Sequence, residues 1–398
     1  MAICMIMVLV ITFQVRLVDC EPEVNRSRTL YVPYMSVKQK GNSDNESANA
    51  SMSVRTGREC FRALSMPEAV TLASGVYRVR ASVPSRSKAT ADMVQTDEAF
   101  WTIFSFHFLS GEAFTKADCD AGLTRAVLDA TTARRLFGTT DAVGHTVQLD
   151  YVDYTVAGVV ADVSMLATAA YAQIWVPYTA AGAEAMSWQN DTMGPMHAII
   201  LARSSADFDA IREETELLRK KYNDGLQDVE VFYRGQPDTQ LAYLYRRWYA
   251  EPDVPGVMLR YAIVVIILLL VPAVNLSGMT LSRMRRRMAE IGVRKAFGAT
   301  GGELMRQVFF ENLVLTLLAG IVGLALSYVA TFALNGFLFS NSMNASLSGE
   351  TALTPGMLLS PWAFIAAFAF CLLMNILSAG IPAWRASRMN ITDAINQR

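Results

Sequence analysis

Histidine is scarce, cysteine is sparse and scattered, and charge is thin. The three histidines, His107, His145 and His197, have no ligand spacing between them, so no metal site is expected. The five cysteines are Cys4, Cys20, Cys60, Cys119 and Cys371. Cys4 and Cys371 fall in apolar runs and read as small hydrophobes. The other three are odd in number and widely spaced, so they indicate neither a metal knuckle nor a disulfide framework, and pairing among them stays open. No Gly-x4-Gly-Lys-Ser/Thr loop occurs, so the phosphate cradle for ATP is absent from these 398 residues. No serine sits in a Gly-x-Ser-x-Gly elbow; Ser110-Gly111-Glu112 and Ser74-Gly75 do not fit it. No catalytic residue and no bound cofactor is expected. The net charge of −1 gives no bulk argument for nucleic acid.

Apolar residues are plentiful. They make up 52 % of the chain, and charged residues only 18 %, against about 25 % in soluble domains. They concentrate at the start and in the last third, while residues 20–256 read as an ordinary aqueous domain. A helix needs about 20 mostly apolar residues to cross the hydrocarbon core. Four segments are candidates: Ala2 to about Val18, 257–279, 308–339 and 361–381. The first has no basic residue before it, as a secretory signal would, and Asp19 before Cys20 argues against a lipoprotein site. It reads as a first transmembrane helix (residues 1–19) with a short or truncated cytoplasmic end, a cleaved signal peptide being the alternative.

Orientation follows from the basic residues of the short loops. Arg283, Arg285, Arg286, Arg287, Arg294 and Lys295 follow the 257–279 segment, whereas 340–359 holds no Lys or Arg. The basic loop and the tail with Arg385, Arg388 and Arg398 are therefore expected in the cytoplasm and the 20–256 domain outside it. The expected fold class is an α+β extracytoplasmic domain inserted between transmembrane helix 1 and a three-helix transmembrane bundle, with four transmembrane helices in total.

Within the domain, Thr146–Asp150 and Tyr154–Val160 read as a hairpin turning at Asp150–Asp153. Ala198–Ala202 and Val229–Tyr233 read as strands. Phe208, Ile211, Leu217, Leu218 and Tyr222 recur at helical spacing over Ala206–Tyr222, which leaves Glu213 and Glu214 on a solvated face. The second half of Asp120–Phe137 reads as a helix ending at Gly138, and Asn42–Ser51 as an exposed loop.

The loop after the arginine cluster carries Glu290-Ile291-Gly292-Val293-Arg294-Lys295-Ala296-Phe297-Gly298-Ala299, then Thr300, Gly301, Gly302 and Glu303. Ile291, Val293, Ala296 and Phe297 form a short apolar stripe, the glycines permit a sharp break, and a second helix is expected to start near Glu303. On the residues alone this is either an interfacial anchor helix or a helix that docks on a partner. The stretch Glu290–Ala299 resembles the characteristic motif of the MacB/FtsX-like permease family. Asn275-Leu-Ser-Gly278, Gln307–Leu313, Gly320-Ile-Val-Gly323, Pro382-Ala383, Arg385-Ala386 and Asp393-Ala394 extend the resemblance. In the domain, Phe108-Leu-Ser-Gly111, Ala133–Gly138, Ala142-Val-Gly144 and Tyr154–Val163 resemble the MacB-like periplasmic core domain.

The resemblance implies a bacterial inner-membrane permease subunit, with an FtsX-like permease domain over 257–398. About 288–299 would be its coupling helix, with Glu290, Ile291, Gly292, Arg294, Lys295, Phe297, Gly298 and Ala299 meeting an ABC ATPase subunit that binds the ATP. A homodimer or a pair of related permeases is implied, as are a periplasmic adaptor and an outer-membrane channel. Export of antimicrobial compounds or peptides is the expected role; a regulator of a cell-wall hydrolase or sensor, and lipoprotein release, are the alternatives. Gly320 and Gly323 give the 308–339 segment a small-residue face, readable as helix packing or as ordinary membrane-helix glycine.

Overall fold

The computed structural model describes residues 2–43, 46–84, 88–248, 250–268, 270, 293, 297–298, 300–339, 347, 351, 364–365, 368–369 and 372–373. Two compact units result, one of Met1–Gln14, Pro255–Leu338 and Thr354–Arg398, the other of Val15–Val254 and Phe339–Leu353.

The strands of the second unit run in chain order as β1 (Thr29–Val32), β2 (Met35–Gln39), β3 (Ala48–Ala50), β4 (Ala69–Ser74), β5 (Tyr77–Ser82), β6 (Lys88–Thr96), β7 (Phe108–Gly111), β8 (Arg125–Asp129), β9 (Thr146–Leu149), β10 (Val152–Val160), β11 (Ile174–Pro177), β12 (Met196–Leu201), β13 (Val229–Phe232) and β14 (Asp238–Thr239). The helices are α1 (Ala2–Val15, shared between the units), α2 (Val54–Gly57), α3 (Phe100–Ile103), α4 (Lys116–Asp120), α5 (Ala130–Phe137), α6 (Phe208–Gly225) and α7 (Gln240–Tyr245). A few helices accompany mostly antiparallel sheets, which makes this an α+β unit.

Two cores divide this unit into lobes. The sheet lobe stacks the antiparallel order β14-β1-β12-β4 and the smaller sheet β13-β2-β3 around Leu30, Val32, Met52, Phe61, Leu72 and Ile200. Helix α6 joins that core through Ile211 and Tyr222. Thr215 shares its buried face, while Leu217 is 66 % exposed, which corrects the expected apolar stripe. Glu214 is not merely solvated: it accepts from the Ser65 and Met66 amides and the Ser65 hydroxyl. Strand β3 lies inside the expected 42–51 loop and pairs with β2.

The barrel lobe has its own core, including Val79, Leu128, Leu136, Val147, Val156 and Ile174. Its strands follow the order β10-β8-β11-β6-β5-β9, and β9 pairs back onto β10. Six strands therefore close a ring, which removes the exposed edges an open sheet would have. Strand β7 is added beside the second half of β10. The expected hairpin is β9–β10; Asp150 and Tyr151 turn it with φ of 42° and 74°, the left-handed pair that matches strand twist. Helix α5 follows β8 directly. Asp129 accepts from the Thr132 amide at 2.7 Å to cap its start, and Gly138 ends it at φ 79°. Strand β8 occupies the stretch just before this helix, which the sequence reading did not separate.

Asp97, just past β6, joins the lobes. It accepts from the Thr71 hydroxyl at 2.6 Å, the Leu72 amide at 3.1 Å and the Ala99 amide at 3.1 Å, with Arg62 3.6 Å away. Burial pushes its carboxyl from 3.8 up to about 6, against the pull of Arg62, Thr71 and Leu72. A carboxyl with a raised folded value contributes stability that is complete below the unfolded value and lost as pH rises through the folded one. Burial also lifts Asp129 to about 6, while it lowers His197 to about 4 and so acts in the opposite sense. Comparison with Asp97→Asn isolates Asp97. Wild type should lose about 1–3 kcal/mol relative to that variant between pH 4 and pH 7. Thermal unfolding of the full chain at both values measures this, and a pH-independent difference refutes it.

In the first unit, α1 contains no charged residue and residues 254–268 are helical. A 33-residue helix, Gly301–Ala333, is followed by Asn335–Phe339. Among the described residues, no helix is long and apolar enough to cross a membrane. Cys4, Cys20, Cys60 and Cys119 are free, and Cys371 lies outside the described residues.

Candidate functional site: the glycine-bounded segment and the domain tethers

Of the motif residues, Glu290, Ile291, Gly292, Arg294, Lys295, Ala296 and Ala299 lie outside the described residues. The end of the motif is defined. The Phe297 amide donates to Val293 O at 3.1 Å, and the Phe297 side chain is 89 % exposed. Gly298 has φ +92°, a conformation that disfavours any side chain. Thr300 and Glu303 then form a reciprocal cap: the Thr300 amide donates to Glu303 Oε2 at 2.9 Å, and the Glu303 amide donates to Thr300 Oγ1 at 3.3 Å. This pairing satisfies helix-end donors on both sides, and it sets the start of the long helix at Gly301, two residues before the expected Glu303. The segment is thus an exposed aromatic, a left-handed turn and a capped helix in immediate succession.

Gly320 is buried, and a Cβ there would stand 3.0 Å from Phe368 Cδ2. Gly323, Ser327 and Thr331 continue the buried stripe. Both hydroxyls bond back to their own helix, to Leu324 O at 2.7 Å and Ser327 O at 2.8 Å, so the stripe presents no unpaired polar group.

The domain meets its flanking helices through two tethers, and each carries a buried ion pair. In the first, Arg26 Nε donates to Glu23 Oε2 at 2.7 Å, with both side chains 1 % exposed. The same guanidinium donates to Val18 O at 2.6 Å and to Leu166 O. Glu23 Oε1 accepts from the Ala169 and Ala170 amides at 2.7 and 2.9 Å. In the second, Arg246 forms a fork on Asp238, with side chains 1 % and 3 % exposed. It also donates to Arg234 O and Ala250 O, each at 3.0 Å. Between the tethers, Gln240 Nε2 donates to Arg16 O at 3.1 Å, and Tyr31 stacks on Tyr243 with centroids 4.5 Å apart. No motif announces these residues. Beside apolar segments, such charges read as interfacial flanks, and only the fold places them inside.

Residues 1–218 match the family model of the MacB-like periplasmic core domain, and residues 262–391 match that of the FtsX-like permease C-terminal region. The two together define a permease with a periplasmic-type domain. Since the first takes in more than half of the sequence, the chain belongs to the MacB/FtsX-like family of ABC transporter permeases. Among curated relatives, the macrolide export ATP-binding/permease protein MacB of Chromobacterium violaceum is 25 % identical over 307 residues. The protein of that name from Escherichia coli K12 is 26 % identical over 314. Each alignment covers 77 % of this chain and 43 % of the relative, so the chain spans less than half the length of the relatives it matches. The solved periplasmic region of MacB from Actinobacillus actinomycetemcomitans is 17 % identical, covering 51 % of this chain and 90 % of that one, with a TM-score of 0.37. A score that low adds no weight.

Proposed function

We propose that this chain couples ATP hydrolysis on a partner ABC ATPase to movement of its α+β domain outside the cytoplasm, in the export of antimicrobial compounds, peptides or similar substrates. Four helices span the bilayer in this reading, over 1–19, 257–279, 308–339 and 361–381, with both ends of the chain and the basic loop inside. Two permease subunits stand over the two ATPase subunits of the closed nucleotide dimer. The size of the domain, Val15–Val254, favours export over regulation, which needs only a small external domain.

The observation that carries the reading is the run from Phe297 to Glu303. An exposed aromatic stands immediately before a left-handed glycine and a capped 33-residue helix. A push on the motif is delivered to the helix end with only the turn at Gly298 between them. Arg294 and Lys295 supply charge for an acidic groove on the partner, and Phe297 the apolar anchor. Proline locks φ near −65°, so Gly298→Pro breaks the turn.

In vesicles holding both subunits, Gly298→Pro and the pair Arg294→Glu/Lys295→Glu should lower permease-dependent stimulation of ATP hydrolysis by about 5–150-fold, the usual span of a coupling energy, with membrane insertion unchanged. Undiminished stimulation in both variants overturns the assignment. Labelling that found residues 290–299 on the same side of the membrane as residues 100–160 would overturn the topology.

A further inference from the structure

Among the described ion pairs, the only two with both partners at 3 % side-chain exposure or less are Glu23–Arg26 and Asp238–Arg246. One sits where the chain enters the domain after α1 and the other where it leaves towards residues 254–268. A buried ion pair is poor cement, because an apolar replacement of similar volume is often as stable. Their confinement to the two exits therefore calls for a role other than bulk stability. What each guanidinium does besides pairing is the same at both places: it takes hold of the outgoing backbone. Arg26 donates to Val18 O, three residues beyond the end of α1, and Arg246 donates to Ala250 O, four residues before the helical stretch at 254.

The far ends of the two clamps differ. Arg26 and Glu23 bind Leu166 O and the Ala169 and Ala170 amides, in the loop between β10 and β11 of the barrel lobe. The neighbouring Pro22 carbonyl accepts from the Ser105 amide at 2.9 Å, also outside the sheet lobe. Arg246 binds Asp238 and Arg234 O, and Asp238 lies on β14, which pairs with β1 in the sheet lobe.

We propose that Glu23, Arg26, Asp238 and Arg246 are positioning residues that make each tether rigid where the chain enters and leaves the domain, the first also fastening to the β10–β11 loop of the barrel lobe three residues before the chain runs on into β1 of the sheet lobe. Displacement of the flanking helices then enters the domain instead of being absorbed by slack chain. Gln240 to Arg16 O and the Tyr31–Tyr243 stack keep the tethers in register. This deepens the transport reading above and rests on it for its purpose, but the rigidity itself is measurable without any partner.

Lysine variants separate clamp from fold. Arg26→Lys and Arg246→Lys keep a positive charge beside the buried carboxylate, but an ammonium cannot reproduce the planar fork that holds the pair and the backbone carbonyls together. Hydrogen exchange of the full chain in lipid nanodiscs reads the result. In wild type, peptides covering 16–28, 164–170 and 234–250 should exchange about as slowly as β12. In Arg26→Lys, 16–28 and 164–170 should speed up by about tenfold, the factor expected for one lost hydrogen bond of this kind, with β12 unchanged. In Arg246→Lys, 234–250 should respond instead.

Three outcomes overturn the proposal: tethers that already exchange rapidly in wild type, lysine variants that exchange like wild type, and collapse of protection throughout the domain, which would make these folding residues only. With the ATPase partner present, spin labels on the two lobes should report an ATP–vanadate-dependent distance change in wild type that both lysine variants reduce. If wild type shows no such change, the transport reading fails while the exchange result stands. A full change in the lysine variants defeats the clamp.

Discussion

Replacing Arg26 by methionine should cost the domain about 3–5 kcal/mol, the usual penalty for breaking a buried ion pair by removing one partner. The side chains are of similar volume, so the loss is mainly electrostatic. Glu23 stays 1 % exposed, with two backbone amides from Ala169 and Ala170 but no counter-charge. The buried Leu166 carbonyl loses its donor at the same time, as does the carbonyl of the exposed Val18. Each stranded acceptor costs about 1–3 kcal/mol where water cannot reach it, and these terms overlap instead of adding because all belong to one network. Against a typical total stability of about 5–15 kcal/mol, this single change removes a large share.

The double variant Glu23→Gln/Arg26→Met tests the cause. The introduced side-chain amide would keep an oxygen for the two backbone donors and carry no charge, so the double variant should be more stable than Arg26→Met alone. Denaturant unfolding of the full chain, followed by tryptophan fluorescence, measures both. A cost below about 1 kcal/mol for Arg26→Met, the level of an exposed pair, would show that water reaches the site and that the pair is not buried in solution.

The elements that could be read from sequence are those whose signal is local. The cap–helix–glycine pattern of α5, the period of α6, the β9–β10 hairpin and the start of a helix beside Glu303 each depend on residues within a few positions of one another. The candidate strands at 198–202 and 229–233 coincide with β12 and β13 to within two residues. Strand β8 escaped because its three apolar residues, Ala126, Val127 and Leu128, are too short a run to show a period that would separate it from the helix that follows. Strand β3 escaped because Ala48-Asn49-Ala50 has little strand propensity and owes its conformation to β2. Closure of the six-strand ring, and the inward course of Arg26 and Arg246, come from contacts between distant parts of the chain, such as Arg26 with Leu166. Of the proposed coupling residues, only Phe297 and Gly298 lie within the described structure, and their exposure and backbone angle went beyond what spacing alone could supply.

Two of the sequence stretches that carried the family resemblance meet at one point. Gly111 of Phe108–Gly111 pairs with Gly158 of Tyr154–Val163 across the β7–β10 ladder. There β10 exchanges β9 for β7 on one side, and its register with β8 shifts between Val156 and Gly158 on the other. The backbones approach so closely that a Cβ on Gly158 would lie 2.6 Å from Glu112 O and 2.9 Å from Phe108 Cε1, and one on Gly111 would lie 2.2 Å from Ala157 O. Gly158→Ala should therefore cost about 3 kcal/mol or more, the upper end of overpacking, because the obstacle at 2.6 Å is main chain and cannot turn aside as a rotamer would. For a domain of this size that is a fall of about 6–12 °C in melting temperature. Gly144→Ala is the control for strain without a clash. Gly144 has a left-handed φ, +79°, which Gly158 does not share, and nothing lies within 4 Å of its Cβ position, so only the conformational strain of about 1–2 kcal/mol applies. Calorimetry of the two variants should rank Gly158→Ala well below Gly144→Ala. The reverse order would mean that β7 and β10 do not cross at these glycines, and the placement of β7 on the ring would have to be abandoned.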